Sequence, residues 1–228
     1  MIKNIVNLGD AAIYCDFGSE VNQEINSKVI KCFKILKDKN LKGVTNLSPS
    51  YNKLIVTFDL NETNYDYLKE EILNMSFNIK NEHRVQKINI PICCDEEFSI
   101  DIQRIEKKFQ KSKNEIINLF LNKNYFCYMT GFIAGMPFLG DLDKKIQLGR
   151  LETPRVKVPR GSIGITEQFC NIYTYESPGG WNIIGKTPLN IFDPKNKKKP
   201  NLISPGDQIT FYEIKKNEFT KFYDKWLF

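Results

Sequence analysis

The sequence predicts an α+β protein of two parts, a small ferredoxin-like N-terminal domain followed by an all-β barrel or sandwich. Three observations carry this. The first third alternates short apolar runs with segments of helical periodicity. A polar stretch, "NIKNEHRVQ" (78–86), then breaks the pattern and reads as a linker. Beyond Tyr125 helical signals stop, and strand-like segments punctuated by Gly and Pro take over. The first domain is assigned to residues 1–80 and the second to 86–228.

The elements follow in order. "AAIYCDF" (11–17) is short, apolar and bounded by Gly9-Asp10 and Gly18-Ser19, which makes it a strand. In 21–39, Ile25, Val29, Cys32, Phe33 and Leu36 recur at helical spacing. Residues 43–60 read as two strands about a turn at Pro49-Ser50. Residues 64–75 read as a helix with Tyr65, Leu68, Ile72 and Leu73 inward. Two strands around helices that cover one face give the ferredoxin-like expectation. In the second part, "KINIPICC" (87–94) is a strand. "IDIQRIEKKF" and "KNEIINLFL" are short helices, the latter opened by the capping box Ser112-x-x-Glu115. "YFCYMTGF", "VKVPRGSIGI", "NIYTYESPGGWNIIG", "LNIF" and "DQITFYEI" are expected strands.

Composition excludes several classes. With 41% hydrophobic and 12% aromatic residues over 228 positions, the chain is globular and long enough for a core. No apolar run approaches the roughly 18 to 20 residues of a membrane helix. The first residues lack a secretory h-region, so the expected location is cytoplasmic. Six cysteines show no Cys-x-x-Cys spacing, and Cys93 and Cys94 point to opposite faces of a strand. With His83 as the single histidine, no metal site is expected. The net charge of +6 traces to four lysines in the loop "DPKNKKKPN" (193–201), which reads as a solvated turn and not as a nucleic-acid surface.

One string is a decoy. Gly180-x-x-x-x-Gly185-Lys186-Thr187 matches the phosphate-loop pattern, yet that loop requires a helix starting at the lysine. Here Asn190, Pro194, Pro200 and Pro205 leave no room for one. The glycines are expected in tight turns. Phe132, Tyr173 and Trp181 are expected in the barrel wall, with Trp181 plugging the barrel.

"GFIAGMPFLGDLD" (131–143), "RLETPRVKVPRGSIGI" (150–165), "YESPGGWNIIGKTPLNIFDP" (175–194) and "ISPGDQITF" (203–211) resemble the family of KipI, the B component of ATP-dependent 5-oxoprolinase and allophanate hydrolase subunit 1. This unit, carboxyltransferase subdomains C and D, is also similar to part of urea carboxylase. "LGDAAIYCDFG", "PSYNKLIVTFD" and "PICCDEEFSID" extend the resemblance over nearly the whole chain. It implies a cyclophilin-like β-barrel for the second domain. It also implies a hydrolase subunit, inactive alone, that acts with a larger carboxyltransferase-like sister subunit on an amide or lactam such as 5-oxoproline. ATP is the implied co-substrate, with Mg as its counterion. The alternative implied is a KipI-like inhibitor of a sensor histidine kinase.

Activating a lactam oxygen with ATP calls for cations and donors around phosphate and carboxylate oxygens. On the matching motifs these are Arg155, Glu176 and Lys186 as the catalytic set. Arg150, Thr153, Ser162, Ser177, Gly179, Gly180, Trp181 and Thr187 are the expected binding residues. Arg155→Ala is expected to abolish activity with thermal stability nearly unchanged. The chain departs from the family at four places: Ile133-Ala134-Gly135-Met136 for x-Pro-Gly-Phe, Phe120 for a histidine, Phe169-Cys170-Asn171 for Gln-Thr-Gly, and Lys186 for arginine.

Overall fold

The computed structural model describes residues 2–75 and 85–224, and the chain divides into two compact units, Met1–Arg84 and Val85–Phe228. Most of the stretch read as a linker, His83 included, lies outside the described residues.

The first unit contains β1 (Asn4–Asn7), β2 (Ala12–Asp16), α1 (Gln23–Lys39), β3 (Val44–Pro49), β4 (Lys53–Phe58) and α2 (Tyr65–Leu73). Its strands form an antiparallel sheet in the order β1-β2-β4-β3. This is the ferredoxin-like layout, with β1 at the edge beside β2. Nothing in "NIVN" marks β1 beforehand, because only Ile5 of its four residues is buried. Ile13 and Cys15 alternate along β2, as do Leu54, Val56 and Phe58 along β4. That face packs on Val29, Cys32 and Leu36 of α1 and on Leu68 and Ile72 of α2. Leu73, expected inward, is 60% exposed.

Local chemistry sets the ends of these helices. The Asn22 side chain accepts from the Ile25 N–H, and Asn64 accepts from the Tyr67 N–H. Asn40 closes α1 in the left-handed region. Asn26, fully buried, donates to the Ser50 and Tyr51 carbonyls at 3.0 and 2.7 Å, which ties the β3–β4 turn to α1.

The second unit contains β5 (Lys87–Cys93), α3 (Ile102–Phe109), α4 (Lys113–Leu121), β6 (Tyr125–Thr130), β7 (Pro137–Gly140), a 3-10 turn at Lys144–Ile146, β8 (Arg155–Val158), β9 (Ser162–Thr166), β10 (Phe169–Ile172), β11 (Ser177–Gly179), β12 (Asn182–Lys186), β13 (Gln208–Ile214) and α5 (Lys216–Asp224). Seven strands close a barrel in the order β10-β7-β6-β13-β5-β12-β9, while β8 and β11 form a separate two-stranded ribbon. Ile90, Ile92, Ile163, Ile165, Cys170, Ile184, Ile209 and Phe211 belong to the core, along with Phe120 and Tyr125. The capping box at Ser112 and Glu115 is present. Cys94 joins this core, whereas Cys93 packs with Ile214 and Phe219 of another cluster, so the pair splits between two faces as expected.

Several expectations change. "VKVPRGSIGI" is two strands, broken at Gly161 (φ 82°), where an added Cβ would lie 2.5 Å from the Thr187 carbonyl oxygen. "LNIF" makes only a bridge from Phe192 to Asn201. Helices do not end at Tyr125: α5 packs Phe219 and Phe222 beside Phe98, on a nine-residue stretch too short to stand out from its lysines. Phe132 is 73% exposed at a φ of 67° and takes no part in the barrel wall.

All six cysteines are free and buried. Burial pushes the Cys15 and Cys32 thiols from 9.0 up to about 12. A raised folded-state value favours folding below the unfolded value, and that contribution is lost as pH climbs between the two. Urea midpoints should therefore hold steady up to pH 9 and fall progressively from 9 toward 12. A Cys15→Ala, Cys32→Ala chain should show a shallower alkaline decline. An unchanged slope in that variant would place the thiols in water.

Candidate active site

Barrel strands have two faces, and the outer one holds the polar chemistry. Ile163 and Ile165 point into the core, so Gly164 between them faces outward. On β10, Cys170 and Ile172 point in, and Asn171, registered opposite Gly164 and Phe138, points out. Met136, Val158, Tyr173 and Ile183 form a small apolar cluster on this side, flanked by Ile133 and Phe138. The β8–β11 ribbon lies over it through Val158 and through Gly179, where an added Cβ would meet the Tyr173 hydroxyl at 2.2 Å.

Asp101 is the organising residue. It holds the N-cap position of α3 yet makes no side-chain cap. One carboxylate oxygen accepts the Ile183 N–H at 2.6 Å, and the other accepts from Arg155 Nη2. The Asp101 N–H donates to the Ile183 carbonyl at 3.1 Å. Beside it, Arg104 Nη1 donates to Asn182 Oδ1, and Asn182 Nδ2 donates to the Gly149 and Ile165 carbonyls at 3.0 and 3.1 Å. The side chain of Asp101 is 5% exposed and that of Arg155 28%. The second guanidinium amine of Arg155, Nη1, is buried without a hydrogen-bond partner.

The expected residues divide into two groups. Arg150, Arg155, Ser177, Gly179, Gly180 and Trp181 come together. Arg155 is registered opposite Gly179, Leu151 N–H donates to the Gly180 carbonyl at 2.7 Å, and Arg150 sits 6.0 Å from the Trp181 ring centre. Thr153 lies exposed on the turn into β8. Trp181 does not plug the barrel: it stands outside the core, edge-on to Phe138 at 5.6 Å.

Lys186, Ser162 and Thr187 lie at the other end of β12, about 13 Å along an extended strand from Asn182. Ser162 and Lys186 are register partners, and Thr187 N–H donates to the Gly161 carbonyl. Lys186 lies 5.7 and 5.9 Å from the Phe98 and Phe219 ring centres. Burial pulls its ammonium below the usual lysine value, opposed by Glu97 and reinforced by Arg160. Glu176 pairs with Lys157 at 3.2 Å, both well exposed on the ribbon. No helix begins at Lys186, as the proline-rich tail predicts.

Asp101, Asn171 and Tyr173 complete the site. Asp101 gave no signal, since an aspartate before a helical run reads as a cap. Asn171 is the one polar residue in "FCNI", where alternation puts it outside. Burial raises the Tyr173 hydroxyl, against the Asn171 side chain, the backbone at Trp181, and the Arg150 and Arg155 charges. Two guanidiniums, a neutral phenol and an amide suit an anionic ligand with a carbonyl or amide function.

Residues 3–203 match the family described as carboxyltransferase domain, subdomain C and D, and the chain belongs to it. It is 31% identical over 227 residues to the B component of 5-oxoprolinase from Bacillus subtilis (strain 168), covering 94% of each chain. The crystal structure of TTHA0988 matches with a TM-score of 0.80 at 25% identity, over 90% of this chain and 40% of that one. The Kluyveromyces lactis urea amidolyase shares the fold with a TM-score of 0.78 at 18% identity, over 97% of this chain and 15% of that one.

The Asp101 contacts revise the expectation for Arg155. Removing the guanidinium leaves a buried carboxylate with one oxygen unpaired, so Arg155→Ala should cost about 1–3 kcal/mol. Asp101→Ala also orphans the Ile183 N–H and should cost about 3 kcal/mol or more, roughly 6–12 °C in Tm. In a double-mutant cycle followed by thermal unfolding, the pair should couple by about 1 kcal/mol or more. Additive losses would mean that the ion pair does not hold the site.

Proposed function

We propose that this chain is the B-type component of an ATP-dependent 5-oxoprolinase-type hydrolase. It acts with a larger carboxyltransferase-like sister subunit to activate 5-oxoproline for ring opening to glutamate. The observation that carries this reading is the 31% identity to the Bacillus subtilis 5-oxoprolinase component across 94% of both chains. The pocket chemistry supports it. Arg155, held by Asp101, keeps Nη1 for a carboxylate or phosphate oxygen, and Arg150 adds a second cation at the rim. ATP serves as co-substrate of the complex. Mg accompanies it as the counterion of its phosphates.

A second reading, an inhibitor of a sensor histidine kinase, draws on one observation. Phe120, where the family resemblance places a histidine, is fully buried with its ring 5.1 and 4.8 Å from those of Tyr125 and Phe211. No titrating imidazole stands there, and inhibition by docking needs none.

The deciding experiment is a tagged pull-down from the native lysate, identified by mass spectrometry and assayed for ATP hydrolysis with and without 5-oxoproline. The expected result is a carboxyltransferase-like partner and ATP hydrolysis stimulated by 5-oxoproline, with the chain alone nearly inactive. Recovery of a histidine kinase without stimulated hydrolysis would replace the first reading by the second.

A further inference from the structure

Beneath the β8–β11 ribbon, polar atoms are left over. Arg155 Nη1, both amide atoms of Asn171 and the Ser177 hydroxyl are buried with no hydrogen-bond partner. The Tyr173 hydroxyl lies close enough to the Asn171 side chain for the amide to act on it. These atoms are neighbours. An added Cβ on Gly164 would stand 2.9 Å from both Asn171 Oδ1 and Trp181 Cβ, so glycine there makes room for the amide. Gly179 faces the Tyr173 hydroxyl, and Ser177 is registered opposite Val158, which packs with Tyr173. A buried amide left unpaired opposes folding, and an isosteric apolar side chain at that position would be neutral or favourable. Its presence therefore points to a ligand.

The donor set defines that ligand. A primary amide presents one N–H and one carbonyl oxygen on a single edge. A lactam of five or six atoms is held cis, so its own C=O and N–H also share one edge, and the two amides can exchange two hydrogen bonds. An open-chain amide, which is trans, offers only one of its two groups at a time. We propose that Asn171 is the specificity-determining residue of this site, pairing edge to edge with the cis amide of a small cyclic amide while Arg155 and Arg150 take its carboxylate. This deepens the proposed function and rests on it for the choice of 5-oxoproline as probe. The ribbon above this site lies outside the barrel ladder.

The test is calorimetric titration of the purified full chain with 5-oxoproline, N-acetylalanine (a carboxylate with a trans amide) and cyclopentanecarboxylate (a carboxylate with no amide). The wild-type chain should prefer 5-oxoproline by about tenfold or more. Asn171→Leu should keep or raise Tm while losing that preference. Asn171→Asp, which retains the shape, removes the donor and adds a charge facing the carboxylate, should bind 5-oxoproline more weakly still. Equal binding of the three probes by wild type, no binding of any, unchanged 5-oxoproline affinity in Asn171→Leu, or a large loss of Tm in Asn171→Leu would each overturn the inference. The two readings fail separately. Stimulated ATP hydrolysis by the complex with an unchanged KM in Asn171→Leu sinks only the role of Asn171. Selective, Asn171-dependent lactam binding without stimulated hydrolysis sinks only the proposed activity.

Discussion

The site depends on one carboxylate standing in for a missing stretch of β-strand. The barrel closes between β5 and β12 through a single register pair, Lys186 with Cys93. Toward its other end, β12 would present the Ile183 N–H and C=O to nothing, and buried backbone groups must be paired. Asp101 meets both, its carboxylate taking the N–H and its own N–H meeting the carbonyl. One residue thus completes the seam and fixes the start of α3 against β12. The same carboxylate also orients Arg155. A buried carboxylate is tolerable only because both oxygens are used. That explains why Asp101 leaves the α3 N-terminus without the side-chain cap that its position would otherwise supply.

This arrangement assigns separate tasks to the two faces of the same strands. The inner face is isoleucine-rich and tightly packed, and it gives the barrel its stability. The outer face exchanges packing for polar groups: Gly164 in place of a side chain, Asn171 in place of an aliphatic, Trp181 and Phe138 as an apolar flank. Period-2 alternation means that neither face can be altered without respecting the other. The bulge in β12 between Ile183 and Gly185 is where the strand reconciles them, and it lies next to the Asp101 contact.

What the sequence makes legible follows from how local each determinant is. The capping box at Ser112 and the helical periodicity of α1 involve residues three or four apart, so they can be read directly. The false phosphate loop is equally local, because the prolines after Thr187 forbid the helix it needs. The Asp101–Arg155 pair spans 54 positions and leaves no periodic trace. Trp181 illustrates the remaining difficulty. A large aromatic beside two glycines reads as a core plug, but the β12 bulge and the ribbon decide which face it takes, and both are tertiary features. β1 and α5 escape for a simpler reason, being too short to establish a period.

The same geometry constrains the chemistry. On the extended β12, the ends of the Gly180 to Thr187 string lie far apart, so Lys186 does not share a pocket with Arg155. Glu176, the one carboxylate expected in the catalytic set, is committed to Lys157 on the outside of the ribbon. What remains is the Arg155 cation, an amide, a serine hydroxyl and a phenol that burial keeps neutral, with Arg150 as a second cation exposed at the rim. Such a set holds and orients an anion and stabilises charge, but it has no group poised to accept a proton near neutrality. Under the proposed assignment this chain supplies recognition and electrostatics. Position 120 stands apart from that set: its phenylalanine lies in the aromatic core, and an imidazole there would be buried in the same place.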